Sequence, residues 1–178
     1  MCSSDLAVQG IGGLGHLGVQ FARHMGFRTA AIGRGREKEK LAKDLGAHVY
    51  IDTAVDDAAA ALRRMGGARA ILATAPSGDA MGPLVSGLAA RGKLIVVGVP
   101  LDPMQLSAFP LVFGGRSIYG SLAGTAIDTE DALAFSVLEN IRPMIETLPL
   151  EQAAEAYNRM MQGKARFRMV LVTKDGDR

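Results

Sequence analysis

Short apolar runs alternate along the chain with longer stretches in which apolar residues recur every three or four positions. The first run, residues 6–9, is brief and leads straight into Gly10. From Leu14 onward, Leu17, Val19, Phe21, Ala22 and Met25 fall largely on one helical face, and Gly26 follows as a stop. Residues 28–32 (RTAAI) predict a second strand, and 36–45 a charged helix ended by Gly46. A third strand is expected at 48–51 and a helix at 55–65, with Val55, Ala58, Leu62 and Met65 on one side. A fourth strand follows at 69–74. A helix is expected between 77 and 90, interrupted where Gly82 meets Pro83. The run 93–97 (KLIVV) is apolar throughout, as in a parallel strand covered on both faces.

Beyond residue 97 the rhythm loosens. Pro100, Pro103 and Pro110 mark a loop-rich stretch. Residues 117–122 (SIYGSL) predict a strand, and 128–140 a helix with Asp128 and Asp131 placed to cap its start. A strand at 144–148, a helix at 150–161 and a strand at 167–172 complete the pattern. No repeat and no flexible linker interrupts it. Strand–helix alternation with short connections implies an α/β fold with a parallel sheet and right-handed crossovers. An eight-fold barrel needs ~250 residues, and the chain has 178. An open, doubly wound sheet is therefore expected.

Composition narrows the function classes. The 22 glycines exceed the usual ~7%, yet they follow no repeat, which excludes collagen-like and low-complexity chains. Lys and Arg number 20 against 18 Asp and Glu, and the signs are interspersed. A net charge of +2 gives no reason to expect a nucleic acid or a membrane surface as partner. Cys2 is the single cysteine, so neither an intrachain disulfide framework nor a cysteine-rich zinc site is available. No apolar run approaches a membrane span, and no secretory leader opens the chain, so the cytoplasm is the expected compartment.

The informative stretch is Gly10, Ile11, Gly12, Gly13, Leu14, Gly15. Gly10, Gly12 and Gly15 fit G-x-G-x-x-G between a strand and a helix, the context that makes the pattern a dinucleotide-binding fingerprint. Gly10 allows the tight turn, Gly12 lets a pyrophosphate approach the backbone, and Gly15 lets the helix pack on the strand. The helix start then presents unpaired N–H groups to phosphate. Gly13, Gly15 and Gly18 fit the pattern too, but the earlier register begins at the strand end. At the tip of the second strand an acid normally bonds the adenine ribose hydroxyls. Here the sequence reads Gly33, Arg34, Gly35, Arg36, with no acid before Glu37. Arg34 and Arg36 can pair with a 2′-phosphate, which favours NADP(H) over NAD(H).

The segments GIGGLGHLGVQFARHMGF, EKLAKDLGAHVYID and GKLIVVGVP occur in this order, and the chain resembles the zinc-dependent alcohol dehydrogenase branch of the medium-chain dehydrogenase/reductase superfamily. The resemblance runs from about Ala7 to Val172. It implies a Rossmann-type sheet, truncated at its first strand, from the C-terminal, cofactor-binding portion of such an enzyme. Residues 1–6 (MCSSDL) do not read as family sequence and are expected to be a non-native leader. Residues 7–121 would form the dinucleotide-binding domain. Residues 122–178 would complete the fold and contact a catalytic domain that is not in the chain. The resemblance further implies that Leu14 packs near the nicotinamide and that Thr74, Ala75 and Pro76 lie beside the adenosine half. Val97, Gly98 and Val99 would run under the nicotinamide, and the backbone of Ser121 and Leu122 would meet the carboxamide. Arg168, or Arg166 in a shifted register, would reach the cofactor phosphates.

The same resemblance implies a small alcohol or aldehyde as substrate of the full-length enzyme, zinc held only by the absent N-terminal domain, and no catalytic activity in this chain alone. It also implies a homo-oligomer joined through the edge strand 116–120, with Arg116 at one end and Gly120 at the other. His16, His24 and His48 do not fall at metal-ligand spacing. His24 is expected on a solvated helix face and His48 at a strand edge. Apolar surface is expected around residues 100–113 and 144–150. Three other readings stand beside this one: a fragment of a zinc-independent quinone or enoyl reductase, a stand-alone nucleotide-sensing module, and a methyltransferase.

Overall fold

The computed structural model describes residues 5–173. Residues 1–4 of the expected leader, Cys2 among them, lie outside the described residues. The other two, Asp5 and Leu6, open strand β1 (Asp5–Gln9) and pair in register with Arg28 and Thr29. Asp5 is buried and its carboxylate lies 3.6 Å from the Arg28 guanidinium.

The chain divides into two compact units, the first ending at Ile141 and the second starting at Arg142. In the first, β1 joins β2 (Arg28–Gly33), β3 (Val49–Asp52), β4 (Ala68–Ala73), β5 (Leu88–Val96) and β6 (Ser117–Gly120) in one sheet. The strand order is β3-β2-β1-β4-β5-β6 and every neighbouring pair is parallel. The chain winds outward from β1 to β3, then returns past β1 to β4, which is the doubly wound Rossmann-type order. Ala7, Val8, Ala31, Ile71, Ala73 and Leu94 are fully buried in these strands, because crossover helices cover the sheet.

Those helices are α1 (Gly15–His24), α2 (Glu39–Asp44), α3 (Ala58–Arg64) and the short α4 (Gly78–Met81). A 3₁₀ turn over Arg36–Lys38 leads into α2, and another over Gly82–Gly87 follows α4 at the predicted break. Helix α3 starts three residues later than the periodicity predicts. The Asp57 carboxylate accepts from the amides of Ala59 and Ala60 and sets the start, leaving Val55 exposed. Residues 88–90 extend β5 rather than end a helix.

The proline-marked stretch contains a helix the periodicity does not predict, α5 (Ala108–Gly114). The Ser107 hydroxyl caps it, Pro110 falls in its first turn, and Gly115 ends it in the left-handed region. Phe109, Val112 and Phe113 on α5 are exposed, as is Leu101 before it. Helix α6 (Ala126–Leu138) begins with Thr125 as cap, and Thr125 and Asp128 satisfy each other's amides. Asp131 lies inside the helix rather than at its cap. Bonds from the Thr125 amide and hydroxyl hold the Asp128 carboxyl below its ordinary range.

The first unit extends past residue 121 because α6 is tied to α1. Phe21 and Phe135 stack with ring centroids 5.8 Å apart, and His24 Nδ1 lies 2.9 Å from the Glu139 carboxylate. His24 is thus paired rather than simply solvated. The second unit is a single βαβ turn: β7 (Ile145–Pro149), α7 (Ala153–Met161) and β8 (Arg168–Val172), with the two strands parallel. In it Glu146 takes the Arg159 guanidinium and, at 2.7 Å, the Arg166 amide. No helix among the described residues is long and apolar enough to cross a membrane.

Replacing Thr125 by alanine removes the cap of α6 and is expected to cost that helix about 1 kcal/mol. Hydrogen exchange should speed up at the Asp128 and Thr129 amides while β1 and β4 stay protected. The Asp128 half of the box works above the ordinary carboxylate value of 3.8 and fades as pH falls through the lowered folded value. First-turn protection in the wild type should therefore decline in acid.

Candidate cofactor-binding site

Strands β1 and β4 are neighbours whose following helices depart in opposite directions along the sheet, so a crevice opens beyond their C-terminal ends. A cleft of about 610 Å³ lies there, lined by Gln9, Gly10, Ile11, Arg34, Lys38 and Ser77 among others. The chain leaves β1 through Gly10 at φ +91°, where a Cβ would sit 2.8 Å from Ala75. A Cβ on Gly15 would sit 1.7 Å from the Gly10 carbonyl oxygen, so α1 lands directly on the turn. The Thr74 hydroxyl lies 2.8 Å from the Gln9 carbonyl and 3.0 Å from that of Gly10. The Ala75 amide donates to Gln9 Oε1 at 3.2 Å. These contacts fasten the end of β4 to the end of β1.

Gly12 is different. A Cβ there would meet nothing within 4 Å, so the space outside its backbone is open. The fully buried His16 donates from Nδ1 to the Gly12 carbonyl at 2.8 Å and fixes the loop from below. Leu14 occupies the cap of α1, offers no side-chain acceptor and is half-exposed. Among the described residues no carbonyl accepts from the amides of Gly13, Leu14 or Gly15. The start of α1 therefore presents unsatisfied N–H groups and the positive end of a ten-residue helix to open space.

The tip of β2 is built with help from β3. A side chain at Gly33 would collide with the Tyr50 hydroxyl, 2.6 Å away. Gly35, at φ +93°, donates its amide to Asp52 Oδ1 at 2.8 Å, and its carbonyl accepts the Tyr50 hydroxyl at 2.7 Å. Asp52 Oδ1 also accepts the Ala54 amide at 2.9 Å. The Ala54 and Gly35 amides hold the Asp52 carboxyl below its ordinary value, and burial pushes the Tyr50 phenol to about 12. At neutral pH the first is ionised and the second keeps its proton. Arg34 and Lys38 line the cleft. Arg36 instead lines a separate shallow depression with Glu37, Glu39, Lys40 and Lys43. No motif in the sequence singles out Lys38; its place one turn after Arg34 is the signal that could have found it.

The other residues singled out from the sequence sit along the same edge or outside it. The amides of Val97 and Gly98 both donate to the Ala73 carbonyl at 3.0 Å, and a Cβ on Gly98 would lie 2.5 Å from the Thr74 oxygen. Val99 is exposed. The Ser121 amide donates to Val96 at 3.0 Å, and Leu122 projects into solvent. Arg168 belongs to the second unit, where it opens β8 opposite Ile145. His48 Nδ1 accepts the Thr29 amide at 3.0 Å. Among the described residues no group of three or more His, Cys, Asp or Glu is placed to hold a metal ion. The residues present thus fit a dinucleotide and do not fit a zinc ion.

Residues 13–138 match the family model described as zinc-binding dehydrogenase. The alcohol dehydrogenase patD of Penicillium expansum is 43% identical over 166 residues, covering 93% of this chain and 48% of that protein. An alcohol dehydrogenase of Geobacillus stearothermophilus is 37% identical over 171 residues, covering 96% of this chain and 50% of its own. A cinnamyl alcohol dehydrogenase structure from Sorghum bicolor superposes with a TM-score of 0.83 at 28% identity, over 94% of this chain and 47% of that one. The chain thus spans about half the length of the curated relatives it matches. A glycine corner of bare amides at the switch point is what a dinucleotide-dependent enzyme requires, and with the family model spanning most of that unit the chain belongs to the zinc-binding dehydrogenase family.

Proposed function

We propose that this chain is the cofactor-binding part of an alcohol dehydrogenase that interconverts alcohols with aldehydes or ketones. The observation that carries the reading is the open space over Gly12, faced by the unpartnered amides of Gly13, Leu14 and Gly15. A diphosphate needs that combination: donors with no partner to give up, and no Cβ in the way. The nicotinamide dinucleotide, when bound, supplies or accepts the hydride. The chain's own residues hold and orient it.

At the adenosine end, Arg34 and Lys38 line the cleft where an acid would otherwise take the ribose hydroxyls, and this favours NADP(H) over NAD(H). Thr74, Val97 and Gly98 form the floor toward the nicotinamide end, with Val99, Ser121 and Leu122 beyond them. No zinc ligand set is drawn from the described residues, so this chain alone is expected to bind cofactor without turnover. In the full-length enzyme the substrate is a small alcohol or aldehyde. Strand β6 is one edge of the sheet formed by the described residues, and is the place for a second copy to add.

Two glycines separate folding from binding. Gly12→Ala should leave the thermal midpoint of the chain unchanged and weaken cofactor binding at least tenfold, read by titrating NADPH fluorescence. Gly15→Ala should lower stability by about 3 kcal/mol, since its Cβ has no room. Wild-type affinity in Gly12→Ala would place the diphosphate elsewhere. Arg34→Ala should weaken NADPH about tenfold and leave NADH unchanged, the size expected of one charge-assisted bond. Equal losses for both cofactors would mean that Arg34 does not set selectivity.

A further inference from the structure

The turn from Gly33 to Arg36 has a glycine on each side of Arg34. Such a turn is intrinsically loose, because glycine leaves its backbone free in the unbraced state. A loose turn makes a poor phosphate clamp, since each binding event must first order the arginine and its backbone. In this structure the turn is not loose. Gly35, just after the arginine, is gripped at both polar backbone atoms from β3: the amide by Asp52 Oδ1 and the carbonyl by the Tyr50 hydroxyl. The grip comes from a neighbouring strand whose register is set by the sheet, with Gly33 opposite Asp52.

Neither Asp52 nor Tyr50 lines the cleft, while Gly33, Arg34 and Thr53 beside them do. Asp52 therefore stands behind the turn and does not replace the missing acid as a ribose ligand. Its Oδ1 is already occupied by two backbone amides, from Gly35 and Ala54. We infer that Asp52 and Tyr50 are positioning residues for cofactor selectivity, holding Gly35 so that Arg34 is presented to a phosphate on the adenosine ribose. The inference rests on the NADP(H) reading above. It adds that selectivity is set on β3, by two side chains that touch no cofactor.

A merely structural role and a positioning role differ in what they move. NADH lacks the 2′-phosphate, so its binding does not depend on where Arg34 points. The test titrates the 178-residue chain with NADPH and NADH, and with 2′,5′-ADP against 5′-AMP to isolate the adenosine end. Tyr50→Phe keeps the ring and loses only the hydroxyl. Asp52→Ala removes the acceptor, and Asp52→Asn keeps an amide oxygen for the same two donors. Tyr50→Phe and Asp52→Ala should each lower the NADPH-to-NADH affinity ratio about tenfold. NADH affinity should hold, which also reports an intact fold, and Asp52→Asn should retain most of the ratio.

Three results overturn the inference while leaving the reading beneath it standing: an unchanged ratio in both variants when Arg34→Ala loses it, equal losses for the two cofactors, or tighter NADPH binding by Asp52→Ala, which would make the carboxylate a repulsive neighbour. A wild-type chain that binds NADH as tightly as NADPH overturns the reading itself, and the inference with it.

Discussion

The first unit is organised around the missing Cβ of Gly15. Only an unsubstituted residue can bring a helix start to within 1.7 Å, at the Cβ position, of the Gly10 carbonyl. That approach draws α1 down onto the end of β1 and turns its first amides outward. The same economy of side chains continues across the sheet edge. Thr74 latches onto the carbonyls of Gln9 and Gly10, and Gly98 packs its backbone against Thr74. Three strand ends, β1, β4 and β5, thus meet almost backbone to backbone. The seam is closed by small groups and the Gln9 side-chain amide, and the crevice opens above it.

The tip of β2 solves the opposite problem. At Gly10 and Gly15 the glycines permit contact, whereas at Gly33 and Gly35 they permit a path, and a path has to be held. Gly33 makes room for Tyr50 beneath the turn, and Gly35 takes the conformation that offers both its polar atoms to β3. Rigidity at the first corner comes from the close packing of Gly15 on Gly10, backed by hydrogen bonds from Thr74 and Ala75 at the end of β4. Rigidity at the second comes from long-range hydrogen bonds. The two corners would respond to substitution independently, because they share no bonded partner.

This difference also explains what could be read along the chain. The alternation of apolar runs and helical faces locates the parallel strands, since the central ones are buried on both sides and the pattern is local. The fingerprint is equally local, and its three glycines fall where their spacing places them. What escapes is whatever depends on register between strands. Nothing in YID marks Tyr50 and Asp52 as the brace for a turn fifteen residues earlier; the sheet decides that by setting Gly33 against Asp52. Residues 88–90 have a helix-compatible composition but are captured by β4, whose Ala68 pairs with Leu88. Helix α5 hides among prolines because Pro110 costs nothing in a first turn. The first unit runs to Ile141, and an aromatic stack and a hydrogen bond from His24 to Glu139 join α6 to α1.

Counting formal charges would misjudge the cleft. Three acids, Asp56, Asp57 and Asp79, line it against the two cations Arg34 and Lys38. By that count the site should repel a phosphate. The pairings remove that excess. Asp56 is engaged by the Arg64 guanidinium, and Asp57 by two amides at the start of α3, so much of their charge is met locally. Among the described residues Arg34 and Lys38 have no carboxylate partner. Lys40 and Lys43, on the other side of the same segment, are matched by Asp44 and Glu39. Along one charged stretch Lys40 and Lys43, which face away, are neutralised in pairs, whereas Arg34 and Lys38, which face the cleft, are not. It is this distribution, and not the net charge of +2, that supports the anion site proposed at the Arg34 end of the crevice.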